Sequence, residues 1–165
     1  MHKLIIRTIQ PEDNAALAII IRKALEEFKA NKPGTVYFDP TTDNLFEVFK
    51  TPNSKYFVVT ENDVILGGGG IYPTQNLPVD TCELVKLYLN HAARGKGIGK
   101  LLIQECFSAA VMLGYKKIYL ETLPELNIAV PLYEKMGFNY LPAPLGNSGH
   151  DGCDIWMIKE LDREW

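Results

Sequence analysis

At 165 residues, with 47% hydrophobic and 22% charged side chains, the chain is long enough for one well-buried core and short for two. Such a composition excludes a disordered chain, a collagen-like fibre and a disulfide scaffold. Seventeen basic against twenty acidic residues leave a net charge of −3. That balance speaks against a protein devoted to nucleic acid or anionic membrane, because counterion release needs a surplus of Lys and Arg.

No apolar run nears the roughly 18 residues that a spanning helix needs. The segment Met1-His2-Lys3 meets charge at once and no small-residue cleavage site follows, so a cytoplasmic location is expected. Cys82, Cys106 and Cys153 are odd in number and form no CxxC pair, which reads as reduced, mostly buried thiols. His150 and Cys153 lack two further ligands at matching spacing, so no metal is expected.

In chain order, Ile5 to Ile9 is β-branched and ends at Pro11, which predicts a first strand. Pro11-Glu12-Asp13 opens a helix, with proline and acids where free N–H groups and the helix dipole favour them. Leu17, Ile20, Ile21, Ala24, Leu25 and Phe28 carry its helical spacing. A loop over Asn31 to Asp39 and a short helix over Asp43 to Phe49 follow. Tyr56 to Thr60 and Val64 to Tyr72 read as a hairpin about Glu61-Asn62-Asp63. Gly67 to Gly70 are odd in a strand: either it bulges there, or another chain or a ligand passes close.

Cys82 to Leu89 predicts a fourth strand. Ile98 to Leu113 is an apolar-striped helix stopped by Gly114. Lys117 to Glu121 is a fifth strand, Leu126 to Met136 a helix stopped by Gly137, and Cys153 to Lys159 a last strand. The order β-α-α-β-β-β-α-β-α-β-β predicts one α+β domain over residues 1–165, layered α/β/α. Its mixed, mostly antiparallel sheet has about six or seven strands flanked by about four helices.

The most informative segment is Leu87-Tyr88-Leu89-Asn90-His91-Ala92-Ala93-Arg94-Gly95-Lys96-Gly97-Ile98-Gly99-Lys100. A strand runs through a short loop into alternating glycines at a helix start. Glycines let the backbone turn sharply and approach a ligand, and the first helical N–H groups with the dipole attract an anion. Arg94, Lys96 and Lys100 add three cations, so pyrophosphate is the natural guest. A Walker-type loop fails, because Leu101 stands where Ser or Thr would hold magnesium. A dinucleotide fingerprint lacks its third glycine in register, although Glu121 sits where a ribose-binding acid would.

Arg94-x-x-Gly97-x-Gly99 resembles the RxxGxG turn of the GNAT superfamily of N-acetyltransferases. Glu83-Leu84-Val85-Lys86-Leu87-Tyr88-Leu89 looks like that family's fourth strand and Tyr119-Leu120-Glu121-Thr122 like its fifth. Asn127 followed by Leu132-Tyr133-Glu134-Lys135-Met136-Gly137-Phe138 is similar to its closing segment. The pieces stand in family order from about residue 82 to 140.

The resemblance implies that the fourth and fifth strands splay apart and that the pantetheine arm of acetyl-CoA pairs with the free edge Leu87-Tyr88-Leu89. It implies that Arg94, Gly95, Lys96, Gly97, Ile98, Gly99 and Lys100 hold the pyrophosphate, with Asn127 touching the arm. It further implies transfer of the acetyl group to a primary amine of a small molecule by direct attack. Only about one alkyl amine in a thousand is unprotonated at neutral pH, so a base helps, directly or through water. Glu83 aligns with the acidic position many members use; Glu121 and His150 are the alternatives. A backbone N–H of strand four, Leu89, would meet the oxyanion, and Tyr133 would protonate the leaving thiolate.

By the same analogy the acceptor pocket is walled by the first two helices, the Gly67–Tyr72 strand and the polar, mobile loop Leu145 to Cys153. Tyr37, Phe38, Tyr72 and Trp156 are aromatic candidates for its walls. Family members are often dimers, which makes a homodimer an expectation by analogy. A catalytically idle CoA-binding module is the alternative function.

Overall fold

The computed structural model describes residues 3–162. Seven strands, β1 (Leu4–Thr8), β2 (Lys55–Glu61), β3 (Val64–Tyr72), β4 (Thr81–Leu89), β5 (Lys117–Thr122), β6 (Asn139–Leu141) and β7 (Ile155–Glu160), build one sheet in the order β1-β2-β3-β4-β5-β7-β6. Every neighbouring pair is antiparallel except β4 and β5, which are parallel. The helices are α1 (Asn14–Glu27), α2 (Leu45–Val48), α3 (Ile98–Met112) and α4 (Ala129–Lys135). This is the expected α+β order.

Alternation along the strands feeds two cores. Tyr56 and Val58 face Leu17, Ile21 and Leu25 of α1 and Leu45 of α2. On the other face, Cys82, Leu84, Ile118 and Leu120 meet Ile103, Cys106, Phe107 and Ala110 of α3. Leu102, Ile103 and Phe107 are fully buried, roughly 1.5–3 kcal/mol each, and this fixes the start of α3 against the sheet. Gly114 (φ 91°) and Gly137 (φ 95°) end α3 and α4 in the left-handed conformation.

Helix boundaries depart from the periodicity. Pro11–Asp13 forms a 3-10 turn before α1, and Pro40–Asp43 another, so the helix expected over Asp43 to Phe49 shrinks to α2. Turns 123–128 delay α4 to Ala129, with Leu126 N donating to the Leu123 carbonyl and Ala129 N to that of Leu126.

The glycine run resolves as both a bulge and a close approach, but the approaching groups belong to the sheet itself. Between Gly68 and Gly70 the pairing shifts register, so that three steps of β4 (Val85 to Tyr88) oppose two of β3. A Cβ on Gly68 or Gly70 would lie 2.6 or 2.7 Å from the Tyr56 ring, and one on Gly69 2.6 Å from Leu87 Cδ1. The ring of Tyr56 thus lies over β3 and reaches β4.

Pairing of β4 with β5 is confined to Thr81–Glu83 against Lys117–Tyr119. Beyond it the two strands part, and among the described residues Leu84 to Leu89 has no ladder partner on that side.

Candidate active site

The parting of β4 and β5 leaves main-chain groups facing a gap. Asn90 N donates to the Leu66 carbonyl at 2.8 Å, which makes Gly67 and Leu89 a non-hydrogen-bonded pair. The Leu89 N–H and carbonyl therefore point away from β3, and alternation aims Leu87 the same way. Arg94 Nη2 donates to that Leu89 carbonyl at 3.1 Å.

At the end of β4 a 3-10 turn (His91–Ala93) leads into the glycines. Gly95 (φ 76°) and Gly97 (φ 77°) are left-handed, and no atom lies within 4 Å of where a Cβ would stand on either. Leu101 N is the first α3 amide to bond backwards, to the Gly97 carbonyl, so the amides of Ile98, Gly99 and Lys100 lack helical partners. Lys96 and Lys100 are exposed beside them. Gly99 allows α4 close, since a Cβ there would sit 3.2 Å from Leu132 Cδ2.

A cavity opens between the parted strands and α1, lined by Glu83, Lys86, Tyr88, Glu121, Tyr133 and His150 among others. Glu83 is 4% exposed and accepts one 2.5 Å hydrogen bond from Thr74 Oγ1. Burial, with the nearby Glu121 adding to it, pushes its carboxyl up to about 7 despite that bond. Glu121 is more fully engaged: Tyr119 Oη donates to its Oε2 at 2.7 Å and Ser148 Oγ to its Oε1. Tyr133, 7% exposed, has no hydrogen bond to its hydroxyl among the described residues, and burial raises its pKa. It therefore stays protonated and free to donate into the cavity.

Several expected residues have surroundings that the sequence does not announce. Arg94 is engaged by Glu27, stacks 4.8 Å from the Phe28 ring centroid and bonds Leu89, so it fastens the glycine turn to α1 and β4. Asn127 is exposed and bonds to no cap, since Ile128 is the N-cap of α4; Leu126 and Ile128 on either side line the cavity and Asn127 does not. Tyr37, Phe38, Tyr72, Trp156, α2 and the β3 glycines line none of it; Ala24, Leu25 and Phe28 of α1 do. The 145–153 loop, expected to be mobile, is laced down: Gly152 N donates to the Gly34 carbonyl at 2.9 Å, Leu145 N to Tyr119 Oη at 3.0 Å, and Asn147 bridges Gln75. His150 within it holds Asp39 Oδ2 through Nε2 at 2.7 Å.

The chain matches the acetyltransferase (GNAT) family over residues 20–138. It is 39% identical over 159 residues to YjgM of Escherichia coli K12, named an uncharacterized N-acetyltransferase, covering 95% of each chain. The chain belongs to the GNAT acetyltransferase family. The fold of this acetyltransferase is also that of a GNAT-family acetyltransferase from Staphylococcus aureus Mu50, with TM-score 0.85, 18% identity, and 97% and 100% of the two chains covered. YncA from Salmonella typhimurium, solved with its cofactor acetyl-CoA, superposes with TM-score 0.75 at 22% identity over 99% and 96% of the chains.

Acetyl-CoA is the co-substrate of such an enzyme, and this structure fits it: the left-handed glycines and free amides suit a diphosphate, and the unpaired β4 edge suits an amide-rich arm. In this GNAT acetyltransferase no helix among the described residues is long and apolar enough to cross a membrane. No cluster of three His, Cys, Asp or Glu is placed for a metal among those residues.

Lys86, which lines the cavity, and Thr74, Ser148 and Asp39, which hydrogen-bond to Glu83, Glu121 and His150, are residues that sequence reasoning misses. Only Lys86 leaves a signal, a charge inside the otherwise apolar run Leu84-Val85-Lys86-Leu87.

Proposed function

We propose that this acetyltransferase acylates the primary amine of a small molecule by direct attack, Glu83 taking the amine's proton directly or through one water and Tyr133 giving a proton to the departing thiolate. The observation that supports it is the pairing of roles in one cavity. A buried carboxyl near 7 accepts protons at working pH, and an unbonded phenol held above its ordinary pKa stays a donor. Acetyl-CoA supplies the thioester. The chain supplies the rest: Leu87 to Leu89 orient the arm, the main-chain N–H of Leu89 is the donor assigned to the thioester oxygen, and residues 94–100 take the diphosphate. Glu83 is preferred to Glu121 and His150 because both Glu121 oxygens accept hydrogen bonds from Tyr119 and Ser148 and His150 Nε2 is held by Asp39.

The test is thiol release from acetyl-CoA with a panel of small amines, beside thermal shifts with CoA and with NAD. Amine-dependent thiol release and a shift with CoA alone are expected. A CoA shift without thiol release for any amine would overturn the reading and leave a binding module.

A further inference from the structure

We propose that the acceptor is an α-amino acid, held with its amine at Glu83 and its carboxylate at the ammonium of Lys86. This deepens the acetyl-transfer reading and rests on it.

Lys86 sits at the β4 bulge with φ 52°, a left-handed conformation that non-glycine residues adopt rarely. Its main chain is pinned by the Tyr56 hydroxyl, which donates to its carbonyl at 2.8 Å. Its side chain is 7% exposed and lines the cavity. Among the described residues its ion-pair contact is Asp39 Oδ2 at 4.0 Å, beyond hydrogen-bond distance, and its ammonium makes no hydrogen bond there.

Asp39 does not fill that need. Its oxygens take His150 Nε2 at 2.7 Å, Thr41 N at 2.9 Å and Thr41 Oγ1 at 2.7 Å. Burial would raise the Asp39 carboxyl, but these bonds and the nearby Lys86 outweigh it and hold the group at about 2. The ammonium of Lys86 therefore faces the cavity from a mostly buried side chain, with no hydrogen-bond acceptor among the described residues. Such a group is costly, and burial lowers its pKa accordingly. An anionic ligand would offset that cost.

The anion is not part of the co-substrate, whose charged groups belong at residues 94–100, beyond the far end of β4. Glu83 lies three positions from Lys86 on the same strand, and each group feels the other's charge. The cavity thus has an acidic group for an amine and a basic group for a carboxylate, three positions apart on one strand and both in its lining. A molecule whose amine and carboxylate share one carbon spans them. Leu25, Val36 and Leu123, also in the lining, give an apolar wall for its side chain.

The experiment measures thiol release from acetyl-CoA by the full chain with a panel of α-amino acids. Each is paired with its amide and its decarboxylated amine, as leucine with leucinamide and isoamylamine. The best amino acid should exceed its decarboxylated partner by about 100-fold or more in kcat/KM, because a site built around a polar group rejects the analogue that lacks it. Its amide should fall with the amine, although the amide's amino group is the easier to deprotonate, so basicity does not explain the order. In Lys86→Met the amino-acid preference should collapse towards one through a raised KM for the amino acid. If this variant does not fold, the wild-type comparison decides alone. Amines turned over as well as their amino acids, or a preference intact in Lys86→Met, would overturn this inference while leaving acetyl transfer standing. No thiol release with any acceptor would overturn both.

Discussion

The Tyr56 hydroxyl on β2 donates a 2.8 Å hydrogen bond to the Lys86 carbonyl on β4, crossing β3 to do so. Gly68 and Gly70 make the crossing feasible, because a side chain on either would strike the Tyr56 ring. The bulge that shapes the free β4 edge is thus held from two strands away. Tyr56→Phe keeps the ring and strips the donor from a buried carbonyl. It should cost about 1–3 kcal/mol and raise KM for acetyl-CoA or for the acceptor. A lower Tm together with a higher KM is the expected result, and an unchanged pair would remove this role.

Glu83 makes the fold sensitive to pH. Its carboxyl titrates at about 7 in the folded chain against an ordinary 4.5. Between those values the unfolded chain releases a proton that the folded chain keeps. Stability therefore falls as pH rises through this window, by roughly 3 kcal/mol once above it. Glu83→Gln should be more stable than the parent at pH 8 and gain nothing at pH 4.5. Thermal melts at both values check this, and an equal Tm change at each would contradict the buried-carboxyl reading.

Much of this architecture is legible in the chain itself. Element order follows from local periodicity and stop signals such as Gly114 and Gly137, and the left-handed glycines before α3 stand where the run from Arg94 to Lys100 predicts a sharp turn. The acceptor side is not legible, because it is assembled from distant segments. Asp39 meets His150 across 111 positions, and Thr74 reaches Glu83 from a loop with no motif. The role of Gly68 and Gly70 needs Tyr56 to be seen beside them. The second set of contacts made by Arg94 is hidden for a similar reason, since Glu27 and Phe28, its partners, lie on α1.

Tyr133→Phe should lower kcat by about 10- to 1000-fold while CoA affinity holds. Its hydroxyl has no hydrogen bond among the described residues to lose, so Tm should move little. Steady-state kinetics with a CoA thermal shift separate the two effects. Full turnover would deny Tyr133 the acid role.

Gly97→Ala places a Cβ on a residue at φ 77° with open space around it. No clash arises, so the cost is the left-handed backbone, about 1–2 kcal/mol, and obstruction of a diphosphate approaching the amides. A drop in CoA affinity larger than the drop in stability is expected by titration calorimetry and melting. Gly114→Ala, left-handed at a site remote from the cradle, should lose comparable stability with CoA affinity intact.

The pH dependence of kcat/KM, which reports groups of the free enzyme, in the parent and in Glu83→Gln tests proton removal by Glu83 most directly. The parent should gain activity along a limb with an apparent pKa near 7, the value set by burial of that carboxyl. In Glu83→Gln that limb should vanish, with kcat/KM down by about 10²- to 10⁴-fold. A limb of the same midpoint persisting in the glutamine variant would contradict the account and move the base elsewhere in the cavity.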